Sequence, residues 1–167
     1  MIHIYTGNGK GKTTAAIGLA IRAVGAGKQV YFCQFIKGKP YSELTTLRRI
    51  KGITLHQFGR GCFIRNKPQA KNIARAREGL AHLREIVSCG TFGMVICDEI
   101  IIAVSLGFLT AGEVLSLIKT TPASTELILT GRYAPKGLIA AADLVSEVKE
   151  IKHYYRRGIK ARKGIEC

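Results

Sequence analysis

The sequence has no tryptophan, two methionines, four prolines and two aspartates, Asp98 and Asp143. Its five cysteines, Cys33, Cys62, Cys89, Cys97 and Cys167, are odd in number and never spaced C-x-x-C, which excludes a zinc ribbon or a disulfide framework and points to reduced thiols. The four histidines are equally dispersed, so no metal site follows from spacing. G-x-S-x-G and H-E-x-x-H are absent, which leaves covalent acyl transfer and zinc hydrolysis without a candidate. No apolar run reaches the roughly 18 residues a membrane helix needs. The first residues also lack a basic segment leading into a long apolar one; a soluble cytoplasmic chain with no membrane partner is expected. Acidic residues are scarce: 11 Asp+Glu stand against 26 Lys+Arg, a net charge of +15, and such an imbalance calls for an anionic partner.

What is present fits a single domain over residues 1–167, because 167 residues that are 47% hydrophobic can bury a core. Short β-branched runs alternate with helical patterns, the signature of an α/β fold with a mostly parallel sheet flanked by helices. The strand candidates are Ile2–Thr6, Gln29–Phe35, Ile53–Phe58, Met94–Cys97, Glu126–Thr130 and Leu144–Lys149. Thr13–Val24 and Pro68–Val87 have helical periodicity. Thr110 and Glu113 have the spacing of a capping box, and Pro122 closes the helix that follows. Basic residues concentrate at 48–84 and 149–163; the tail beyond Lys152 is expected to be ordered, with Ile159 and Ile165 as its anchors.

The first strand runs directly into Gly7-Asn8-Gly9-Lys10-Gly11-Lys12-Thr13-Thr14 and then a helix, the context in which a phosphate-binding loop works. Glycines let successive N–H groups turn toward a polyphosphate, and the helix N-terminus adds its positive end. Lys12 offsets phosphate charge, and the Thr13 hydroxyl suits Mg²⁺. The usual G-x-x-x-x-G-K-[ST] spacing would need glycine where Thr6 stands, so this loop is one residue tighter. A carboxylate at a neighbouring strand end is also required. Asp98 directly follows an apolar strand pattern and Glu99 is beside it, and successive strand residues point to opposite faces unless the strand ends between them.

The segment Tyr5–Ala16, with its shortened spacing, resembles the phosphate loop of the ATP:corrinoid adenosyltransferases. So do Gln34-Phe35-Ile36-Lys37-Gly38, Asp98-Glu99, Leu129–Pro135, Ala142–Glu147, Ile151-Lys152-His153 and Gly158–Glu166. The resemblance implies a RecA-like P-loop fold and a homodimer that moves the 5′-deoxyadenosyl group of ATP to the cobalt(I) of cobalamin or a precursor corrinoid, releasing triphosphate. It implies nucleotide contacts at Asn8, Gly9, Lys10, Gly11, Lys12, Thr13, Thr14 and Arg132, with Lys12 and Glu99 in catalytic roles. Metal-side groups are implied at Thr13, Glu99 and Asp98 for Mg²⁺ or Mn²⁺, with a flavin or other one-electron reductant protein as partner. Gly59–Ile64 stands where the family carries an aromatic loop, and Phe63 is the expected corrinoid-facing ring. The apolar Ile100–Val104 is read as dimer surface, corrinoid surface or core.

The same loop and acidic strand end also serve a RecA-like ATPase or a nucleoside kinase, and +15 with Tyr154-Tyr155-Arg156-Arg157 would suit a nucleic-acid module. Resemblance across the chain outweighs nonspecific charge, so the transferase leads and nucleic acid is not the expected partner.

Overall fold

The computed structural model describes residues 1–38, 41–59 and 70–166. In chain order the elements are β1 (Ile2–Thr6), α1 (Lys12–Gly25), β2 (Val30–Gln34), α2 (Ser42–Leu47), β3 (Ile53–Gln57), α3 (Ala70–Ser88), β4 (Met94–Asp98), α4 (Ile100–Ser105), α5 (Ala111–Thr120), β5 (Glu126–Thr130), α6 (Lys136–Ala140) and β6 (Leu144–Glu147), followed by a 3₁₀ turn at Tyr154–Arg157. All six strands join one parallel sheet in the order β3-β2-β4-β5-β1-β6. This is the α/β architecture expected of a RecA-like P-loop domain. All six expected strands form, with ends within two residues of the sequence reading.

Alternation along the central strands builds two cores. Val30, Phe32, Met94, Ile96 and Ile128 face α1, whose Ala16, Ala20 and Ala23 recur at helical spacing and let the helix approach the sheet closely. Tyr31, Cys33, Val95, Cys97, Leu127 and Leu129 face the other way, onto α3, α4 and α5. Strands β2 and β4 are therefore buried on both faces and read as continuous apolar runs. Burying a side chain such as Phe32 or Ile96 contributes roughly 1.5–3 kcal/mol.

Helix α5 opens with the full reciprocal capping box: Thr110 Oγ1 accepts from Glu113 N at 3.1 Å, and the Glu113 carboxylate accepts from Thr110 N at 2.7 Å. Of the three readings of Ile100–Val104, core is the one its burial supports: the segment is helix α4, and Ile100, Ile101 and Ala103 have no exposed surface. The expected start of α3 at Pro68 lies outside the described residues. The tail is ordered as expected, but not by its isoleucines, since Ile159 and Ile165 are 38% and 53% exposed. It is held by polar contacts to the glycine loop: Lys10 Nζ donates to Tyr154 Oη and to Glu166 Oε1, both at 3.0 Å.

No helix among the described residues is long and apolar enough to cross a membrane. Cys33, Cys89 and Cys97 are free thiols.

Candidate active site

The parallel alignment brings the carboxyl ends of all the strands to one crest. Each strand finishes there on a polar residue: Thr6, Gln34, Gln57, Asp98, Thr130 and Glu147. In the register of the sheet Gln34 lies beside both Gln57 and Asp98. The side chains form a connected row, in which Gln57 Nε2 donates to Gln34 Oε1 at 3.2 Å and Gln34 Nε2 to Asp98 Oδ2 at 3.2 Å. Thr130 Oγ1 donates to Asp98 Oδ1 at 2.7 Å and accepts from Glu99 N at 2.9 Å.

Asp98 is the hub of this row, fully buried and saturated. Its Oδ1 also accepts from Thr13 Oγ1 at 2.8 Å, and its Oδ2 from Lys37 Nζ at 3.0 Å. Four protein donors offset the cost of burying a carboxylate. The bond to Thr13 ties the first turn of α1 to the end of β4, uniting two segments 85 positions apart.

β4 ends at Asp98, and Glu99 turns out of it with φ 63°, in the left-handed region. The opposite-faces rule for adjacent strand residues therefore does not separate the pair. Desolvation, and after it the Asp98 charge, raise the pKa of the half-buried Glu99 carboxyl, while Lys37, Lys12 and Arg132 pull it partly back. Burial is thus the main reason the Glu99 carboxyl holds its proton more tightly than usual, and a cation beside it would favour the ionised form. The hydroxyl and carboxylate oxygens of Thr13, Asp98 and Glu99 are hard donors that fit Mg²⁺ or Mn²⁺. No cluster of three or more His, Cys, Asp or Glu is assembled among the described residues, so a cation here would take its other ligands from phosphate and water, the usual way Mg²⁺ is held.

The loop wraps closely around its own lysine. Lys12 is buried, and its Nζ donates to Gly7 O and Gly9 O at 2.7 Å each. Burial, and then the nearby Arg132 charge, lower its pKa, against the pull of Glu99 and Asp98. Gly9 N donates to Val148 O at 2.7 Å, and a Cβ on Gly9 would stand 2.7 Å from Lys149 O; only glycine lets the loop lie against the strand end. Gly11 caps α1 with φ 122° and no side-chain acceptor. The first N–H groups of α1 therefore receive no side-chain cap from that position and are available to an anion.

Of the residues singled out in the sequence, Gly9, Gly11, Lys12, Thr13, Asp98 and Glu99 share this crest. Arg132 follows β5 on an exposed loop near enough to act electrostatically on Lys12 and Glu99. Asn8 and Thr14 are exposed at the loop, whereas Lys10 reaches outward to the tail. Phe63 lies outside the described residues. Gln34, Lys37 and Thr130 were not read as site residues. A signal was available for two of them, since Gln34 and Thr130 are the polar ends of otherwise apolar strands.

The family described as ATP:corrinoid adenosyltransferase BtuR/CobO/CobP matches residues 1–167. The chain is 36% identical over 165 residues to a corrinoid adenosyltransferase of Pseudomonas aeruginosa, covering 98% of this chain and 81% of that protein. It is 35% identical over 166 residues to one from Escherichia coli K12, and 34% identical over 166 residues to one from Salmonella typhimurium. Those two alignments each cover 99% of this chain and 85% of the relative.

Proposed function

This chain belongs to the ATP:corrinoid adenosyltransferase family, and from that premise we propose how its crest residues carry the reaction. The activity is transfer of the 5′-deoxyadenosyl group of ATP to corrinoid cobalt. Family membership over the whole chain decides among the three sequence readings in favour of the transferase. Cobalt(I) attacks C5′, the C5′–O bond breaks, and the electron pair leaves with triphosphate. No proton is removed from the nucleophile, so no general base is called for, and the protein's work is alignment and stabilisation of a highly charged leaving group.

In this reading the N–H groups of Gly9, Gly11, Lys12, Thr13 and Thr14, with Asn8 and Lys10 at the rim, line the triphosphate. Lys12 exchanges the Gly7 and Gly9 carbonyls for phosphate oxygens, and Arg132 adds a second positive group. Thr13, Glu99 and Asp98 hold Mg²⁺ or Mn²⁺, which when bound neutralises charge on the leaving group. The Asp98–Thr13 bond at 2.8 Å carries this assignment, because it joins the phosphate loop to the acidic strand end. Asp98 orients the Thr13 hydroxyl, and Glu99 presents the second carboxylate.

Phe63 is proposed as the corrinoid-facing aromatic, and a flavin or other one-electron reductant protein as the electron source. The working form is a cytoplasmic homodimer, and the net charge of +15 serves its anionic substrate rather than a nucleic acid.

Incubation with ATP and chemically reduced cobalamin tests the reading. Stoichiometric inorganic triphosphate and a light-sensitive cobalt–carbon product are expected, formed only when reduced corrinoid is present. ADP and orthophosphate at an equal rate without corrinoid would overturn it.

A further inference from the structure

Two lysine ammonium groups serve the crest, and they occupy different corners of it. Lys12 is bonded to loop carbonyls. Lys37 instead lies between the two residues assigned to the metal side: its Nζ is 3.0 Å from Asp98 Oδ2 and 3.4 Å from Thr13 Oγ1. Only 18% of its side chain is exposed, and the Tyr41 ring centroid stands 5.3 Å from Nζ.

The backbone is shaped to put the ammonium there. Phe35 N donates to Asp98 O at 2.9 Å, which extends the strand pairing one residue past the end of β2. Ile36 then takes φ 64°, costly for a β-branched residue, and so turns Lys37 back over the crest. Gly59 packs against the turn so closely that a Cβ there would stand 2.3 Å from Lys37 O. Strain of this kind persists where the surrounding structure over-determines it, and it gathers at ligand sites. The other non-glycine residues at positive φ among those described, Glu99 and Tyr133, likewise follow crest strand ends.

An ammonium and a divalent cation cannot share this corner, since both draw on the same oxygens and repel each other. We propose that Lys37 is the resident counter-cation of the metal corner: it neutralises Asp98 while no metal is bound and is displaced when a divalent cation enters with the nucleotide. The inference rests on the reading of Thr13, Asp98 and Glu99 as metal-side residues. The exchange replaces one positive charge with two, so metal alone binds weakly, and the phosphates of ATP supply the negative charge that makes the exchange favourable. Metal entry is thereby coupled to nucleotide entry.

Covalent labelling of lysines with an amine-reactive reagent, read residue by residue by mass spectrometry, tests this on the unaltered protein. Lys37 should label slowly in the free protein and with ATP plus EDTA, and at least fivefold faster with ATP plus Mg²⁺. No Mg²⁺-dependent rise, or the full rise with ATP and EDTA, overturns the exchange. In a second arm, Mn²⁺ binding to nucleotide-free protein is followed by electron paramagnetic resonance. Lys37→Met should bind Mn²⁺ at least tenfold more tightly than the unaltered protein, whereas Lys37→Arg should not; equal affinity in Lys37→Met and the unaltered protein overturns the exchange. Triphosphate release with reduced corrinoid is measured in parallel. Normal release with unchanged labelling sinks the exchange alone, while absent release sinks the functional reading.

Discussion

Lys10 in the glycine loop and Glu166, 156 positions later, form an ion pair with Nζ 3.0 Å from Oε1. Tyr154 joins it, accepting from Lys10 and donating to the same Glu166 oxygen. The Arg162 guanidinium sits 4.7 Å from the Tyr154 ring centroid, and Arg162 N donates to Glu166 Oε2 at 2.7 Å. The tail is thus fastened to the glycine loop, the segment proposed to receive the triphosphate.

Glu166→Gln should release the tail. Desolvation works to raise the Glu166 pKa, but the Arg162 backbone bond and Lys10 prevail and hold it below its ordinary value. A carboxyl depressed in the folded state stabilises above its unfolded pKa, and that contribution is lost as pH falls through the folded value. Trypsin cleavage after Arg156, Arg157 and Lys160 should be severalfold faster in Glu166→Gln at neutral pH. The variant should also lack the loosening that the unaltered tail shows as the carboxyl protonates in acid. Equal cleavage rates would refute the tether.

In the proposed reaction Lys12→Ala removes a cation from charge that grows on the leaving triphosphate. The expected loss in kcat, with saturating ATP and pre-reduced corrinoid, is about 100-fold or more, roughly 3 kcal/mol. Turnover near that of the unaltered enzyme would end the assignment.

The two carboxylates should separate by stability. Asp98→Asn disturbs bonds from Thr13, Thr130, Gln34 and Lys37 inside the protein, at a cost of about 2 kcal/mol and a fall in Tm of roughly 4–8 °C. Glu99→Gln leaves that network intact, so its Tm should hold while the Mg²⁺ concentration needed for half-maximal transfer rises several-fold. A Glu99→Gln variant with unchanged metal requirement would remove Glu99 from the metal side.

Gly79→Ala sets packing against helix propensity. In an unobstructed helix alanine is favoured over glycine by about 1 kcal/mol. In α3 the added Cβ would stand 2.6 Å from Phe58 Cγ and 2.8 Å from its Cδ2. Phe58 is itself buried against Phe35, so overpacking by about 1–3 kcal/mol is expected. Chemical denaturation should show destabilisation; stabilisation would mean that the Phe58 ring moves freely aside.

The strands, the glycine loop and the capping box of α5 were legible because each is written in residues close together: alternating or continuous apolar runs, glycine spacing before a helix, a threonine three residues ahead of a glutamate. The limit shows at Ile100–Ser105, where a helix buried nearly all round has no polar face to reveal its period. It shows again in the tail, where exposed isoleucines look like anchors but a lysine, a tyrosine and a glutamate are the contacts made. How Asp98 and Glu99 are placed relative to each other was beyond sequence patterning too, since it turns on one left-handed residue at the strand end. Nor does any local pattern relate Thr13, Gln34, Lys37 and Thr130 to Asp98. Their meeting depends on parallel strands of matched register ending at one level, a long-range property in which every strand end is placed by its neighbours and none by its own sequence.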